Sequence, residues 1–213
     1  MIRVEKCGVA PKSLASGKHY NGEDVQQQLR EDHRGKCYIC ERRMGTDFEI
    51  EHLVSQSGND DLRYEWENLL AACGYCNTRK SNGYDGMVNP LQTNVEEEIK
   101  QELDWGANKA VFTALVDDEA HRKTVELLMR LHNGKMKMRN TMEGEFWKGI
   151  KSKMHDFRKK VDAYLEYPTK EHMDLVRGEL EIDKELLGFK YWIIKGNERL
   201  DREFGGDMVW NRR

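Results

Sequence analysis

Cys37-Tyr38-Ile39-Cys40 and, after 32 intervening residues, Cys73-Gly74-Tyr75-Cys76-Asn77-Thr78-Arg79-Lys80 decide how this chain is read. Each Cys-x2-Cys knuckle offers two thiolates on one tight turn. Two such knuckles complete a closed tetrahedral site of the structural zinc type. With Cys37, Cys40, Cys73 and Cys76 filling all four positions, no coordination site is left for water, so this Zn2+ is expected to hold the fold rather than perform chemistry. The plainer alternative is four buried thiols, which the paired spacing makes a coincidence. Cys7 is left over as an ordinary thiol.

Working outward, Phe48-Glu49-Ile50-Glu51-His52-Leu53-Val54 largely alternates apolar and polar residues, the pattern of a half-buried strand. Asp24 to His33 reads as a short helix ending at Gly35, and Asn77 to Lys80 opens a helix directly after the second knuckle. The order is helix, cysteine pair, strand, loop, cysteine pair, helix. A zinc that ties residue 37 to residue 76 brings that strand and that helix face to face, and between the knuckles lie Glu51-His52 and the Asn68 of Trp66-Glu67-Asn68-Leu69-Leu70. That arrangement is a scaffold for a second, reactive metal site.

The remainder of the chain sets bounds. Its 213 residues carry 35 Lys plus Arg against 38 Asp plus Glu, a formal charge of -3, with 38% hydrophobic and 34% charged residues. Such a chain holds one good core, or a small module and a larger one. The longest run without a charged residue, residues 68–78, is far short of the roughly 20 apolar residues of a membrane-spanning helix. Charges in Met1-Ile2-Arg3-Val4-Glu5-Lys6, where a signal peptide would be apolar, make the cytoplasm the expected location, and there cysteines serve as metal ligands or buried thiols before disulfides. The composition, basic in neither half, argues by itself against a nucleic-acid binder.

Residues 1–94 hold all five cysteines and most Pro and Asn-Gly or Asp-Gly breaks, whereas residues 95–213 are rich in Glu, Lys, Leu, Met and Arg and read as a set of helices. Ser81-Asn82-Gly83 through Pro90 is the expected boundary. Trp147, Ile150, Met154, Phe157, Val161 and Tyr164 trace one helical stripe that Pro168 terminates. Val95 to Leu103, Ala110 to Leu131, Glu171 to Leu187 and Tyr191 to Phe204 are further helical expectations.

Together these residues resemble the HNH endonuclease family, with its ββα-metal fold, in the zinc-knuckle form: Cys-x2-Cys, a carboxylate-His pair, Asn-Leu, then Cys-x2-Cys-Asn-x2-Lys. The resemblance spans about residues 37–82. It implies an α+β, mostly α chain: a ββα-metal nuclease core with a four-cysteine zinc site (1–94, with its lead-in) and a helical C-terminal region (95–213) for partner or nucleic-acid contact. It implies that His52 is the general base, that Glu51 and Asn77 hold the catalytic divalent metal, and that Asn68 ties the loop to the strand and orients His52. Lys80 and Arg79, at the start of a helix, would contact phosphate. Asn77 in place of the commoner His makes both metal ligands oxygen donors, favouring Mg2+ or Mn2+; Glu51 stands where Asp is commoner; and Leu53-Val54-Ser55-Gln56 lacks the usual Pro. The expected reaction is phosphodiester hydrolysis, with DNA as the expected substrate and RNA, tRNA included, as the alternative.

Within that family the layout is most similar to the PtuB-like nuclease subunits of Septu and retron-associated antiphage defence systems. That resemblance implies an effector in a larger complex, partnered by an ABC/SMC-like (PtuA-like) ATPase and, in retron-linked systems, by a reverse transcriptase with its RNA-DNA product. Plainer readings stand beside these. Glu49 is an alternative ligand and His33 an alternative imidazole. Asn68 could cap a helix. Lys135, Lys137, Arg139, Lys148, Lys151, Lys153, Arg158, Lys159 and Lys160, against Glu143, Glu145 and Asp156, either follow a nucleic-acid backbone or form a solvated helix face. The apolar stripe packs in the chain's own core or against a partner. A zinc-ribbon adaptor without catalysis would leave Glu51, His52 and Asn77 as coincidence.

Overall fold

The computed structural model describes residues 1–17, 19–56, 60–136 and 138–210. In chain order the elements are α1 (Lys12–Ala15), α2 (Glu23–Asp32), β1 (Glu49–His52), α3 (Asp60–Tyr64), β2 (Leu69–Ala72), α4 (Gly74–Lys80), α5 (Val95–Glu98), β3 (Ile99–Asp104), β4 (Lys109–Ala114), α6 (Glu119–Asn133), α7 (Thr141–Glu166), α8 (Lys170–Glu179), α9 (Leu187–Lys195) and α10 (Glu198–Phe204). The fold is mixed α+β and predominantly helical, with two small antiparallel sheets. β1 pairs with β2 in the register Glu51↔Leu70 and His52↔Leu69, and β3 pairs with β4. β1, β2 and the α4 that follows form the ββα unit that the family resemblance implies; β2 stands where the residue pattern alone gives a loop.

β2, Leu69-Leu70-Ala71-Ala72, is buried along its whole length, while β1 alternates, so the small sheet has one hidden strand and one strand that lines a cavity. Gly74 opens α4 because a side chain there would collide with Glu49 Oε1 at 2.8 Å and Asp47 Oδ1 at 2.9 Å. Its amide instead donates to Asp47 Oδ1, placing acidic groups at the positive end of the helix.

The largest helix, α7, is entered through a capping box of Asn140 and Glu143. Trp147, Ile150, Met154, Phe157, Val161 and Tyr164 are all buried, with Phe157 only 1% exposed. Each such side chain contributes about 1.5–3 kcal/mol by leaving water. The stripe therefore packs in the chain's own core. Tyr164 lies edge-on to Phe204 of α10, which closes that end of the core.

Four helical expectations require correction: Tyr191 to Phe204 is parted at Gly196-Asn197 into the end of α9 and α10, and three others differ as follows. Of Val95 to Leu103, only one turn (α5) is helical before the chain extends into β3. The helix expected from Ala110 begins only at Glu119, because residues 109–114 form β4. In β3 and β4 the inward positions are Ile99, Gln101, Ala110 and Phe112, an alternation disguised by the buried polar Gln101, which is 1% exposed. Asp104-Trp105-Gly106-Ala107-Asn108 is the hairpin turn, with Asp104 Oδ1 accepting from the Ala107 amide and Asn108 at φ 55°. The helix expected over Glu171 to Leu187 ends at Glu179.

That early ending has a structural consequence. The segment between α8 and α9 wraps the first knuckle: the buried Lys36 donates to the carbonyls of Ile182 and Lys184, and the Arg43 amide donates to Glu185. Glu41, just past Cys40, accepts from the Leu187 and Gly188 amides at the start of α9 and from the Met1 amine. These bonds hold the Glu41 carboxyl below its usual range, against the upward push of burial. The cysteine-bearing half and the helical half are thus hydrogen-bonded through the first knuckle.

A four-cysteine cluster beside a candidate nuclease cavity

Cys37, Cys40, Cys73 and Cys76 are all buried, and their sulfurs lie within 4.8 Å of one another. Four sulfurs at about 2.3 Å from a tetrahedral Zn2+ stand about 3.8 Å apart, and Cys40 Sγ and Cys73 Sγ are 3.8 Å apart. Burial pushes the Cys40 and Cys76 thiols well up, while hydrogen bonds from the neighbouring thiols pull Cys73 down, and thiolates buried this close together call for a cation. Donor set, spacing and burial fit zinc. Cys7 lies outside the cluster, exposed.

β1 and α4 border a cavity of about 320 Å³, lined by Glu51, His52, Gln56, Asn77 and Lys80 among others. Successive strand residues ordinarily point to opposite faces, yet Glu51 and His52, at the last two positions of β1, both border this one space.

Glu51 is 6% exposed, and both its oxygens are engaged: Lys80 Nζ lies 2.7 Å from Oε1, and the Tyr38 hydroxyl donates to Oε2 at 2.7 Å. Burial pushes the carboxyl up, and the Lys80 ammonium and the two hydrogen bonds pull against that shift. Lys80 is only 1% exposed and also donates to the His52 carbonyl. Its charge is directed inward to Glu51, not outward to solvent as the sequence suggests for a phosphate contact.

His52 is half-buried. Its Nε2 lies 3.3 Å from the Arg63 carbonyl oxygen, which accepts when the ring carries its proton on Nε2, the tautomer that leaves the lone pair on Nδ1. The Gln56 amide nitrogen sits 3.1 Å from the ring nitrogens, and the Tyr20 ring flanks the imidazole at 5.3 Å. Burial lowers the imidazole pKa below 6.5, which leaves it neutral at pH 7. Behind it, Asn68 bridges the exit of β1: Oδ1 accepts from the Val54 amide, and Nδ2 donates to the carbonyls of Val54 and Leu62. Asn68 is 5% exposed and does not line the cavity.

Asn77 reaches the cavity from the middle of α4, and Arg79 and Lys80 stand in its last turn rather than at a helix start. Its Nδ2 donates to Glu49 Oε2 at 2.6 Å, which turns Oδ1 away from Glu49. Glu49 stands two residues before Glu51 on β1, and so shares its face. Among the oxygen-bearing groups that border the cavity, the Glu51 carboxylate and the Asn77 amide form a donor pair that suits a hard divalent cation.

Arg79 lies apart from the cavity. Its guanidinium covers the Tyr75 ring at 3.7 Å and borders a separate groove of about 930 Å³ with Arg130, Lys135 and the exposed Met136, Met138 and Met142. The basic stretch on α7 is partly neutralised: Lys153 pairs with Glu185, Lys160 with Glu179 and Arg158 with Asp162, while Lys151 donates to Asn108. Lys137 falls outside the described residues.

His33, the alternative imidazole, is ruled out by its position. It is 4% exposed, its Nε2 accepts from the Ala71 amide, and burial lowers its pKa to about 3. Tyr38, Glu49 and Gln56 are the groups around the site that the motif does not single out for these contacts. Of these, Glu49 is the one the strand alternation signals, because it shares a face with Glu51.

Among the described residues, no helix is long and apolar enough to cross a membrane. No curated protein matches the chain. Residues 37–83, from the first knuckle to just past α4, match the family model described as HNH endonuclease.

Proposed function

We propose that the chain is a metal-dependent endonuclease that hydrolyses phosphodiesters at the cavity between β1 and α4. The observation that carries this reading is the convergence of Glu51, His52 and Asn77 on one space, next to a four-cysteine cluster that fixes the elements bearing them. In this reading His52 Nδ1 takes a proton from water as the water attacks phosphorus in line. The Arg63 carbonyl fixes the tautomer, and Asn68 holds the segment that follows the base. Gln56 must swing off the ring to admit that water. Glu51 and the Oδ1 of Asn77 hold the divalent cation, and Glu49 keeps the Asn77 amide in the orientation that offers oxygen. When bound, Mg2+ or Mn2+ supplies Lewis-acid stabilisation of charge on the scissile phosphate and the leaving 3′-oxygen. Lys80 acts from within by holding Glu51, and Arg79, at the surface, remains the phosphate contact.

DNA is the substrate we propose, in the cytoplasm, with the chain acting as the cutting subunit of an antiphage complex. Residues 95–213 would then face a PtuA-like ATPase and, in a retron-linked system, a reverse transcriptase with its RNA-DNA product. The support for this finer reading is the layout similarity stated for the sequence, together with a net charge of -3, which leaves part of the grip on a polyanion to a partner. A supercoiled-plasmid nicking assay with Mg2+ and with Mn2+, run beside a structured RNA, tests it with the chain alone and with the product of its neighbouring gene. Metal-dependent nicking is expected. No cutting of either nucleic acid in any combination would contradict the nuclease and favour a zinc-ribbon adaptor.

A further inference from the structure

We infer that Tyr38 is a positioning residue for the catalytic cation site, tying the Glu51 carboxylate to the zinc knuckle. The inference rests on the reading of Glu51 as a cation ligand. Tyr38 lies inside the first knuckle, directly after Cys37, and is 2% exposed. Its amide donates to the Ala71 carbonyl of β2 at 2.9 Å, and Ala71 is the register partner of Ile50, the residue before Glu51. Its hydroxyl donates to Glu51 Oε2 at 2.7 Å.

The opposite oxygen, Oε1, is held by Lys80, four residues past Cys76. The two donors on one carboxylate thus come from inside the first knuckle and from the helix that carries Cys76, so the geometry of the cysteine cluster is passed to both oxygens of Glu51. An ionised carboxylate offers about four lone-pair positions. Two are taken here, which stops rotation of the group and fixes the direction of those left for a cation. Groups that orient a ligand in this way typically set metal affinity by 10–100-fold. A purely space-filling role for Tyr38 would be met equally well by phenylalanine.

The test is Tyr38→Phe in the full chain, with zinc content and thermal midpoint measured beside Mn2+ affinity by electron paramagnetic resonance and the Mn2+ dependence of plasmid nicking. The expected result is unchanged zinc, a dissociation constant for Mn2+ raised about tenfold, and a nicking rate that recovers toward wild type at saturating Mn2+. A zinc-loaded variant with wild-type Mn2+ affinity would overturn the inference. If Tyr38→Phe loses zinc or fails to fold, site-specific 3-fluorotyrosine at position 38, nearly unchanged in shape but a stronger donor, replaces it: altered Mn2+ affinity supports the inference and unaltered affinity overturns it. A wild-type chain that binds Mn2+ at no second site and cuts nothing would contradict the nuclease reading itself, and the role of Tyr38 with it.

Discussion

The ββα segment and helix α7 lie in one chain but are held by different means. β1 and β2 are four residues each and α4 is seven; isolated elements this short are not stable in water. Their positions are set by the four cysteines, by the grip of residues 182–188 on the first knuckle, and by the buried Glu51–Lys80 pair. α7 runs for 26 residues and buries six large side chains along one stripe, so its support is apolar area and a capping box. The difference teaches where function is placed. The segment built around the four cysteines keeps charged and amide side chains at fixed positions beside a cavity, which a tightly packed apolar helix face cannot do.

The largest effect should come from breaking one side of that comparison. Structural zinc sites contribute on the order of 10 kcal/mol to folding. Chelation, or Cys76→Ser, should therefore unfold residues 37–80 and abolish cleavage, while far-ultraviolet circular dichroism keeps most of its helical signal from α6 to α10. A proportional loss of helix would mean that the two regions do not differ as described.

Acid should affect both regions through the same device. His33 beside β2 and His132 on α6 are buried, with pKa values lowered to about 3. Near pH 6.5 and below, the unfolded chain binds protons that the folded chain refuses. Stability is thus complete above pH 6.5 and falls by about 1.4 kcal/mol per pH unit per histidine as pH drops toward 3. Urea midpoints at pH 7 and pH 5 check this: His33→Gln, which keeps an acceptor for the Ala71 amide, and His132→Asn, which keeps a donor to the Leu128 carbonyl, should each reduce the acid sensitivity. Wild-type acid sensitivity in both variants would contradict it.

The smallest effect sharpens the comparison within the cavity. Glu49→Gln removes the charge that holds the Asn77 amide, and cleavage at limiting Mn2+ should fall roughly tenfold with zinc content unchanged. No fall would show that Asn77 orients itself without Glu49.

The same contrast explains what could be read from the sequence. Cysteine spacing is a covalent-scale constraint, so the cluster and the meeting of β1 with α4 followed from it, whereas β2 and the grouping of Glu51, His52 and Asn77 came from the family resemblance. The α7 stripe was legible because six apolar residues keep one period. The β3–β4 hairpin was not, because Gln101 occupies an inward position and is accommodated by a partner a hundred residues away, the Met1 amine. The burial of Lys80 against Glu51, and the loop over residues 180–186 that closes on Lys36, likewise depend on partners distant in sequence, and no local pattern records them.

The central claim is that His52 performs chemistry while the cysteines hold the fold. The most direct measurement is plasmid nicking by His52→Ala with its zinc content and thermal midpoint determined on the same sample. The account predicts a loss of about 10²–10⁴-fold in nicking rate with zinc and midpoint unchanged, and cleavage at the wild-type rate in a zinc-loaded His52→Ala protein would contradict it.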